Sequence, residues 1–526
     1  MSSTLQHMPQ TIGVIGGGSA GYLSALYLKK LFPDVRVTLI ESSKIPVIGV
    51  GESTTPQIVD FLHNLMGFSV PEFLRETHST LKLGVKHIWG LPGDYHYNLS
   101  FGRVDPFNAL YHTGDLNNSS LPSMLMELGR APIVQEGKRY LPLTLPHGCA
   151  YHIDNKRFLA YLRKKLEVCG VEYIDAEIDQ VTLKANGSGV QSVASTEKEI
   201  YSFDMFIDCS GFRSLLLGES LGTDWVDYSA GLKANRAVIG TRPDLGEIEP
   251  FTTATTLKHG WLWATPMRNE VHLGYVFCSD FCSDDEARAE LAEHCQQIDN
   301  ARVIPFKTGR HGVGWSGNVV GIGNSFAFIE PLESTAIHMI LWQLRKLRRV
   351  LEGTRSIDGY NQVVNAAWDH LRWLIALQYK FNSRLDTPFW TMCRSEVDIS
   401  GVTEYVEYFR RHGPLSLNNE TPLRAEMNRD AIFSVFAFDT AMMGCGVNGQ
   451  FFKQKSSKVK DNWPLRFAFD RAAAQKALNH REALRVLKEG RCNLIRFDPS
   501  RKPPTRRFPL RNPAGQEFVR SANASS

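Results

Sequence analysis

The stretch that most narrows the possible folds is Thr11 to Glu41, TIGVIGGGSAGYLSALYLKKLFPDVRVTLIE. It reads as a βαβ unit. An apolar strand over Thr11 to Ile15 runs into Gly16-x-Gly18-x-x-Gly21, a helix follows with apolar residues at Leu23, Leu26, Tyr27 and Leu28, and a second strand covers Val35 to Ile40. Gly16 permits the tight turn, Gly18 lets the backbone approach a pyrophosphate, and Gly21 lets helix and strand pack closely. Ser19 and Ala20 open the helix, whose unpaired N–H groups and positive dipole end favour phosphate. Glu41 ends the second strand 20 residues after Gly21, where a carboxylate can accept from ribose hydroxyls. A second match to the glycine pattern, Gly444-Cys445-Gly446-Val447-Asn448-Gly449, precedes QFFKQKSSKVKD, which has no apolar helical period, and it reads as a loop.

The 526 residues suffice for two or three cores, or for layers intertwined on one nucleotide-binding scaffold. No apolar run approaches the ~18 residues of a membrane span. The N-terminus has no basic segment followed by an apolar one, so the expectation is a cytoplasmic protein without a signal peptide. A net charge of +4, dispersed over 59 basic and 55 acidic residues, gives no support to nucleic acid as a partner. Nine cysteines without a CxxC or a Cys/His ligand spacing read as ordinary thiols, with neither zinc nor disulfides expected.

Further along, the turn-rich loop Gly49-Val50-Gly51-Glu52-Ser53-Thr54-Thr55-Pro56 fits either a ligand-side loop or a plain capped turn. Leu81 to Trp89 alternates apolar and polar residues and reads as one strand, with Lys82 and Lys86 on a shared, solvated face. The aromatic segment YHYNLSFGRVD, which contains Phe101, reads as a loop or edge strand near a cavity. Asp154 is a plausible N-cap, and His152 reads as a satisfied core or turn histidine. The strand Met205 to Asp208 ends in Asp208-Cys209-Ser210-Gly211, a turn that two-dinucleotide-type flavoproteins place against the cofactor. Residues 230 to 280 read as antiparallel, and their Trp261 and Trp263 share one face as a core contact or as a wall of an aromatic pocket. After the glycines Gly321 and Gly323, Pro331 precedes a helix from Ser334 to about Leu351. Unpaired N–H groups near Ser334, Thr335 and Ala336 form an anion site with Glu333 beside it. The remainder reads as mostly helical, including RFAFDRAAAQKALNHREALRVLKEG, and the Pro- and Arg-rich tail as flexible.

Several of these stretches, in order over roughly residues 10 to 390, together resemble the flavin-dependent halogenases of the tryptophan and indole branch. They are GGGSAG at Gly16 to Gly21, GVGEST, the lysine strand at Lys82, AYHID at Ala150 to Asp154 and DCSGFR at Asp208 to Arg213. They continue with WxWxxP at Trp261 to Pro266, GYVFCSDF at Gly274 to Phe281, EPLEST at Glu330 to Thr335 and the helix from Trp368 to Trp390. The WxWxxP and EPLEST stretches are far more specific than any glycine motif.

The resemblance implies an α/β, FAD-binding doubly wound scaffold of the glutathione-reductase-like, flavin monooxygenase type, with an intertwined β-rich region and a mostly helical C-terminal region. The implied layout is an FAD module over 10–350 with substrate-side β-rich insertions at about 80–200 and 230–300, a helical substrate-side region over 351–498 and a flexible tail over 499–526. FAD contacts are implied at Gly16, Gly18, Ser19, Ala20, Gly21, Glu41, Gly51, Asp208, Gly211 and Gly323. Lys82 and Glu333 fall on the catalytic pair, Thr335 and Ala336 on the halide site, and Phe101, Trp261 and Trp263 on the substrate pocket. The implied reaction uses reduced FAD from a separate NAD(P)H-dependent flavin reductase. Flavin hydroperoxide and chloride or bromide give hypohalous acid, which Lys82 receives, while Glu333 deprotonates the halogenated ring.

Tryptophan halogenases of this type place a histidine two positions before the aromatic residue of the Phe-Gly stretch, where this chain has Leu99, and a Tyr-His-Pro segment that MMGCGVNGQFFKQKSSK lacks. These departures point to indole or another electron-rich aromatic, with L-tryptophan as the alternative substrate and a single-component FAD-dependent aromatic hydroxylase as the alternative activity. The expected assembly is a monomer or homodimer, without nucleic acid or membrane.

Overall fold

The computed structural model describes residues 7–45, 51–101, 115–144, 148–243, 246–295, 297–417, 421–447 and 463–493. Gly49, Val50, Gly102, most of the segment after Gly446 and the C-terminal tail lie outside the described residues.

The glycine-rich unit forms the centre of a six-stranded sheet. Its order is Glu172–Asp175, Arg36–Glu41, Thr11–Ile15, Met205–Asp208, Val319–Gly321, Trp315–Ser316, the first five parallel and the last antiparallel. Ile12, Val14, Leu39, Phe206, Ile207, Val319 and Val320 are wholly buried, as expected of strands covered on both faces. Helix Ser19–Leu31 connects the first two strands, is buried from Gly21 to Leu28, and packs against helices Asn155–Val168 and Ala336–Leu351. The Gly16–Gly21 turn, Glu41, the Asp208–Gly211 turn and Gly323 lie at the carboxyl ends of parallel strands, where ligands bind in open α/β sheets, whereas Gly51 lies in a strand of its own, Gly51–Ser53.

A seven-stranded sheet forms the second layer, in the order Asp299–Pro305, Arg236–Pro243, Glu270–Phe277, Gly260–Pro266, Thr252–Leu257, Gly84–Ile88, Tyr97–Ser100. Its pairings are antiparallel except that of Thr252–Leu257 with Gly84–Ile88. A small antiparallel sheet joins Gly51–Ser53, Ala150–Asp154 and Thr80–Lys82.

The expectation of one strand from Leu81 to Trp89 is corrected here. Thr80–Lys82 belongs to the small sheet and Gly84–Ile88 to the large one. The chain changes sheets at Leu83, whose N–H bonds Pro250 O at 2.7 Å and whose carbonyl accepts from Phe101 N–H at 2.6 Å. Only glycine fits the next position, because a Cβ on Gly84 would lie 2.4 Å from Leu99 O. Lys82 and Lys86 therefore do not share a solvated face: Lys82 is wholly buried, and Lys86 is partly exposed and pairs with Glu127 at 3.2 Å.

The C-terminal region is mostly helical, with helices Ile357–Lys380, Pro388–Glu396, Thr403–His412 and Val435–Gly444 among its elements. The second glycine motif begins at the end of the last of these, where Gly446 takes φ +75°. The continuous helical pattern after residue 463 is interrupted. Helix Trp463–Gln475 gives way to strand Ala477–Asn479, which pairs with Arg130–Glu136, before helix His480–Lys488 starts at the Asn479 cap. Tertiary pairing overrides local helix propensity there. Among the described residues, no helix is long and apolar enough to cross a membrane.

Candidate active site

The nucleotide crevice is built from backbone. Gly16 sits at φ +116°, and a Cβ there would lie 2.3 Å from Cys209 O, so only glycine can make this turn. A Cβ on Gly21 would lie 1.8 Å from Gly16 O, whereas one on Gly18 would meet nothing within 4 Å. Gly18 thus faces open space at the start of a helix with unpaired N–H groups, as a pyrophosphate requires. Gly17, unremarked in the sequence, lies under Glu41: a Cβ would fall 1.4 Å from Glu41 Oε2. Glu41 Oε1 accepts from Tyr22 Oη at 2.5 Å, Tyr173 Oη at 2.8 Å and Arg163 Nη1 at 3.3 Å, which orients Oε2 over the glycine turn. Burial raises the Glu41 carboxyl above its ordinary pKa.

Ser19 Oγ donates to Asn155 Oδ1 at 3.1 Å, and Ala20 packs beneath Gly323, which takes φ +69°. Gly211, at φ +72°, faces open space. Asp208 acts on its own loop: its Oδ1 accepts from Ser210 N–H and Oγ, and its Oδ2 from the N–H groups of Leu216 and Leu217, each at 2.8 Å. Gly51 packs on His272, where a Cβ would lie 2.8 Å from the ring. This cradle fits an FAD.

The second centre is assembled from side chains distant in sequence. Lys82 Nζ donates to Ser334 Oγ at 2.7 Å and lies 5.1 Å from the centroid of the Phe101 ring. Burial pushes the Lys82 ammonium down to about 7, and the Glu333 carboxylate pulls in the opposite direction. Ser334 holds φ +59°, which turns the chain sharply between Glu333 and the helix beginning at Ala336. Glu333 Oε1 accepts from Gln378 Nε2 at 2.7 Å and lies 3.2 Å from His87 Nε2. His87 stacks on Tyr97 with centroids 4.7 Å apart. The side chains of Ser334, His87 and Gln378 were not singled out by sequence reasoning, which named Ser334 only for the backbone of its helix start. Ser334 lies inside EPLEST, but the other two carry no local signal.

Trp261 and Trp263 are buried side by side with centroids 6.0 Å apart, and Gly274 leaves room for the second indole. Trp261 Nε1 donates to Glu330 Oε1 at 3.1 Å, which also accepts from Tyr379 Oη at 2.6 Å. Glu330 is wholly buried, and that burial pushes its carboxyl up to about 7. Thr335 precedes helix Ala336–Leu351 as its N-cap without a side-chain cap bond, and Ala336 is exposed amid buried neighbours. The first N–H groups of that helix have no intrahelical acceptor. Ala336 lies in the helix, outside the positive-φ residues, so the backbone does not require glycine there.

A dinucleotide crevice beside a buried lysine and carboxylate defines a flavoprotein with a separate, water-poor reaction site. Comparison with known proteins narrows this class. The sequence profile of the tryptophan halogenase family matches residues 11–461. Tryptophan 7-halogenase RebH of Lentzea aerocolonigenes is 30% identical over 435 residues, covering 76% of this chain and 81% of that protein. Among solved structures, MibH, a lanthipeptide tryptophan 5-halogenase, superposes with a TM-score of 0.85 at 35% identity, covering 93% of this chain and 95% of that one. BrvH, a flavin-dependent halogenase from Brevundimonas sp. BAL3, superposes with a TM-score of 0.78 at 26% identity, covering 91% and 99%. The chain belongs to the tryptophan halogenase family and is a flavin-dependent halogenase.

Proposed function

We propose that this enzyme halogenates an indole ring, with Lys82 and Glu333 as its catalytic pair. The observation that carries this reading is a fully buried lysine facing a buried carboxylate, beside a helix start. Gly16, Gly18, Ser19, Ala20 and Gly21 would hold the pyrophosphate side of FAD, Glu41 its ribose, and Gly51, Gly211 and Gly323 would line the crevice, with Asp208 shaping the Gly211 loop. Bound there in reduced form by way of a separate reductase, FAD supplies the reduction of oxygen that turns halide into hypohalous acid. The N–H groups of Thr335 and Ala336 would hold chloride or bromide at the positive end of their helix.

Lys82 then meets hypohalous acid as a positioned nitrogen. With a pKa near 7 it is available at neutral pH both as an N–H donor and as an amine. Phe101 would give the Lys82 side an apolar wall, its ring centroid 5.1 Å from the lysine nitrogen, and the buried pair Trp261 and Trp263 would supply aromatic surface to the pocket. As the ring carbon bonds halogen, Glu333 stabilises the ring cation and takes its proton, held in place by Gln378 and His87. The balance is arene plus hypohalous acid giving haloarene plus water.

The substrate reading is an indole recognised through its ring, free or within a larger molecule, because Leu99 stands where the tryptophan-type histidine is expected. MibH, which resembles this chain over most of its length, is named for a lanthipeptide tryptophan, so a peptide belongs in the substrate panel. The test is mass spectrometry of indole, L-tryptophan and a tryptophan-containing peptide incubated with bromide or chloride, FAD, NADH and a flavin reductase. A halogen isotope pattern on indole or the peptide, abolished in Lys82→Ala with FAD binding intact, is expected. An oxygen-only mass gain, or full activity in Lys82→Ala, overturns the reading.

A further inference from the structure

The polar contacts of Lys82 continue beyond Ser334, and donor counting assigns their direction. Pro266 O can only accept, and it accepts from Thr80 Oγ1 at 2.8 Å. That hydroxyl has no second hydrogen, so the 3.1 Å contact between Thr80 Oγ1 and His152 Nδ1 is donated by the imidazole, which also bonds the Pro266 carbonyl. His152 therefore carries its proton on Nδ1 and presents Nε2 as a lone pair, 3.0 Å from Thr252 Oγ1. Thr252 donates to it. Ser53 Oγ, 2.5 Å away, must then donate to Thr252, while Ser53 accepts from Ser334 Oγ at 2.9 Å and Ser334 accepts from Lys82 at 2.7 Å. Each hydroxyl has one hydrogen, so a single carbonyl at the far end gives the whole chain one sense. Lys82, His152 and Thr80 are wholly buried, Ser334 and Thr252 nearly so, and Ser53 is partly buried.

We propose that His152 is the internal proton acceptor of Lys82, reached through Ser334, Ser53 and Thr252. The inference rests on the reading of Lys82 as the residue that meets hypohalous acid. In the step, Lys82 gives a proton to Ser334 Oγ, Ser334 gives its own to Ser53, Ser53 to Thr252, and Thr252 to His152 Nε2. One N–H bond breaks at Lys82 and one forms at His152, each hydroxyl keeps one hydrogen, and nothing is oxidised or reduced. The charge moves to an imidazolium whose Nδ1–H stays bonded to Thr80, and Lys82 is left with a free electron pair for the electrophilic halogen.

The other titratable groups facing this pair are few. Glu333 faces Lys82 and favours its ammonium, and Cys149, also at Lys82, stays a thiol because burial raises its pKa to about 12. His480 faces His152, and burial lowers its own pKa to about 4, so it is neutral near pH 7. Its Nε2 accepts from Leu81 N–H at 2.8 Å, which ties down the strand carrying Lys82. Burial also holds His152 well below its ordinary pKa, so below about pH 7 the resting proton is on Lys82 and reaches His152 only as the amine reacts.

The test is single-turnover bromination of indole by the reduced, FAD-loaded full chain, from about pH 6 to 9 and in mixtures of light and heavy water. Wild type, Lys82→Ala, His152→Gln, Thr252→Val and Thr252→Ser are compared, with FAD binding as the check on folding. With the relay, the wild-type rate is flat from about pH 6 to 9, because Lys82 reacts whether or not it starts protonated, and at pH 6 its dependence on deuterium fraction is curved, because several protons move together. Thr252→Val keeps the shape of threonine but cuts the chain. It should lower the rate about tenfold at pH 6, where a Lys82 with a pKa of about 7 is mostly ammonium, make it climb through pH 7 towards the wild-type value as the free amine forms, and straighten the deuterium dependence. His152→Gln should behave likewise, and Thr252→Ser should restore the wild-type profile. Wild-type rate, pH profile and curvature in Thr252→Val and His152→Gln, or a uniform loss that leaves the profile unchanged, would overturn the relay while an inactive Lys82→Ala left the lysine reading standing. An active Lys82→Ala would remove both.

Discussion

The glycine turn and the Lys82 site are built by opposite means. The turn is backbone: Gly16 N–H bonds Ile40 O at 2.8 Å, Tyr22 N–H bonds Gly18 O at 3.2 Å, and all of it lies between Thr11 and Glu41. The Lys82 site is made of side chains brought together from afar. Its contacts join Lys82 to Ser334 across 252 residues, Ser334 to Ser53 across 281 and His87 to Glu333 across 246. A backbone site has no room for an added Cβ where chain packs on chain, as at Gly16 and Gly21, and leaves room only where a ligand would lie, as at Gly18. A side-chain site tolerates small changes of shape but not the loss of a polar atom, because its buried partner is left unsatisfied.

Four substitutions test this contrast, beyond the Lys82→Ala variant. The largest effect is expected from Gly21→Ala, which places a methyl 1.8 Å from Gly16 O and should yield no folded FAD-binding protein on gel filtration with absorbance detection. Recovery of normal holoprotein would break the argument for a backbone-limited turn. Glu333→Gln changes one atom of the other site. It should fold and bind FAD normally while kcat for indole bromination falls on the order of a hundredfold with little change in KM.

Glu330→Gln separates the two regions by pH. Burial raises the folded-state carboxyl to about 7 from 4.5. The folded protein therefore keeps a proton that the unfolded chain releases, and the resulting stability is complete below about pH 4.5 and lost as pH rises through 7. Glutamine does not ionise, so Glu330→Gln should gain up to about 3 kcal/mol relative to wild type between about pH 5 and 8, as read by urea melts at both ends. An unchanged difference would mean that Glu330 is not held neutral by burial. Gly18→Ala should produce the smallest effect. Its methyl meets nothing in the protein, so the melting temperature should stay at the wild-type value while FAD affinity falls about tenfold, near 1.4 kcal/mol, by fluorescence titration. Equal FAD affinity would place the pyrophosphate elsewhere.

The two regions also differed in how far they could be read in advance. The βαβ unit was legible because each of its requirements is local: an apolar strand, glycines at fixed offsets, a helix start and an acid at the next strand end. The helices Ile357–Lys380 and Thr403–His412 were legible as helical stretches, and of the two readings open for the segment around Phe101, loop or edge strand, Tyr97–Ser100 takes the edge strand. Alternation misled at Lys82 and Lys86, because it assumes one continuous sheet and the chain changes sheets at Leu83. The helical reading misled at Ala477–Asn479, where pairing with Arg130–Glu136 interrupts the pattern. His152 reads locally as a satisfied histidine, and satisfied it is, but the identity of its partners depends on Thr80 and Thr252.

By itself the sequence determined the parts whose physics is short-ranged: the nucleotide turn, the capped helices, and the EPLEST and WxWxxP stretches that carry the family resemblance. Tertiary structure alone decided which polar side chains are sealed together, and with that the lowered pKa of Lys82, the hold of His87 and Gln378 on Glu333, and the direction of the hydroxyl chain to His152. The reason is that burial and hydrogen-bond direction belong to the neighbours a residue meets in space. Those neighbours come from segments whose contact no local periodicity encodes.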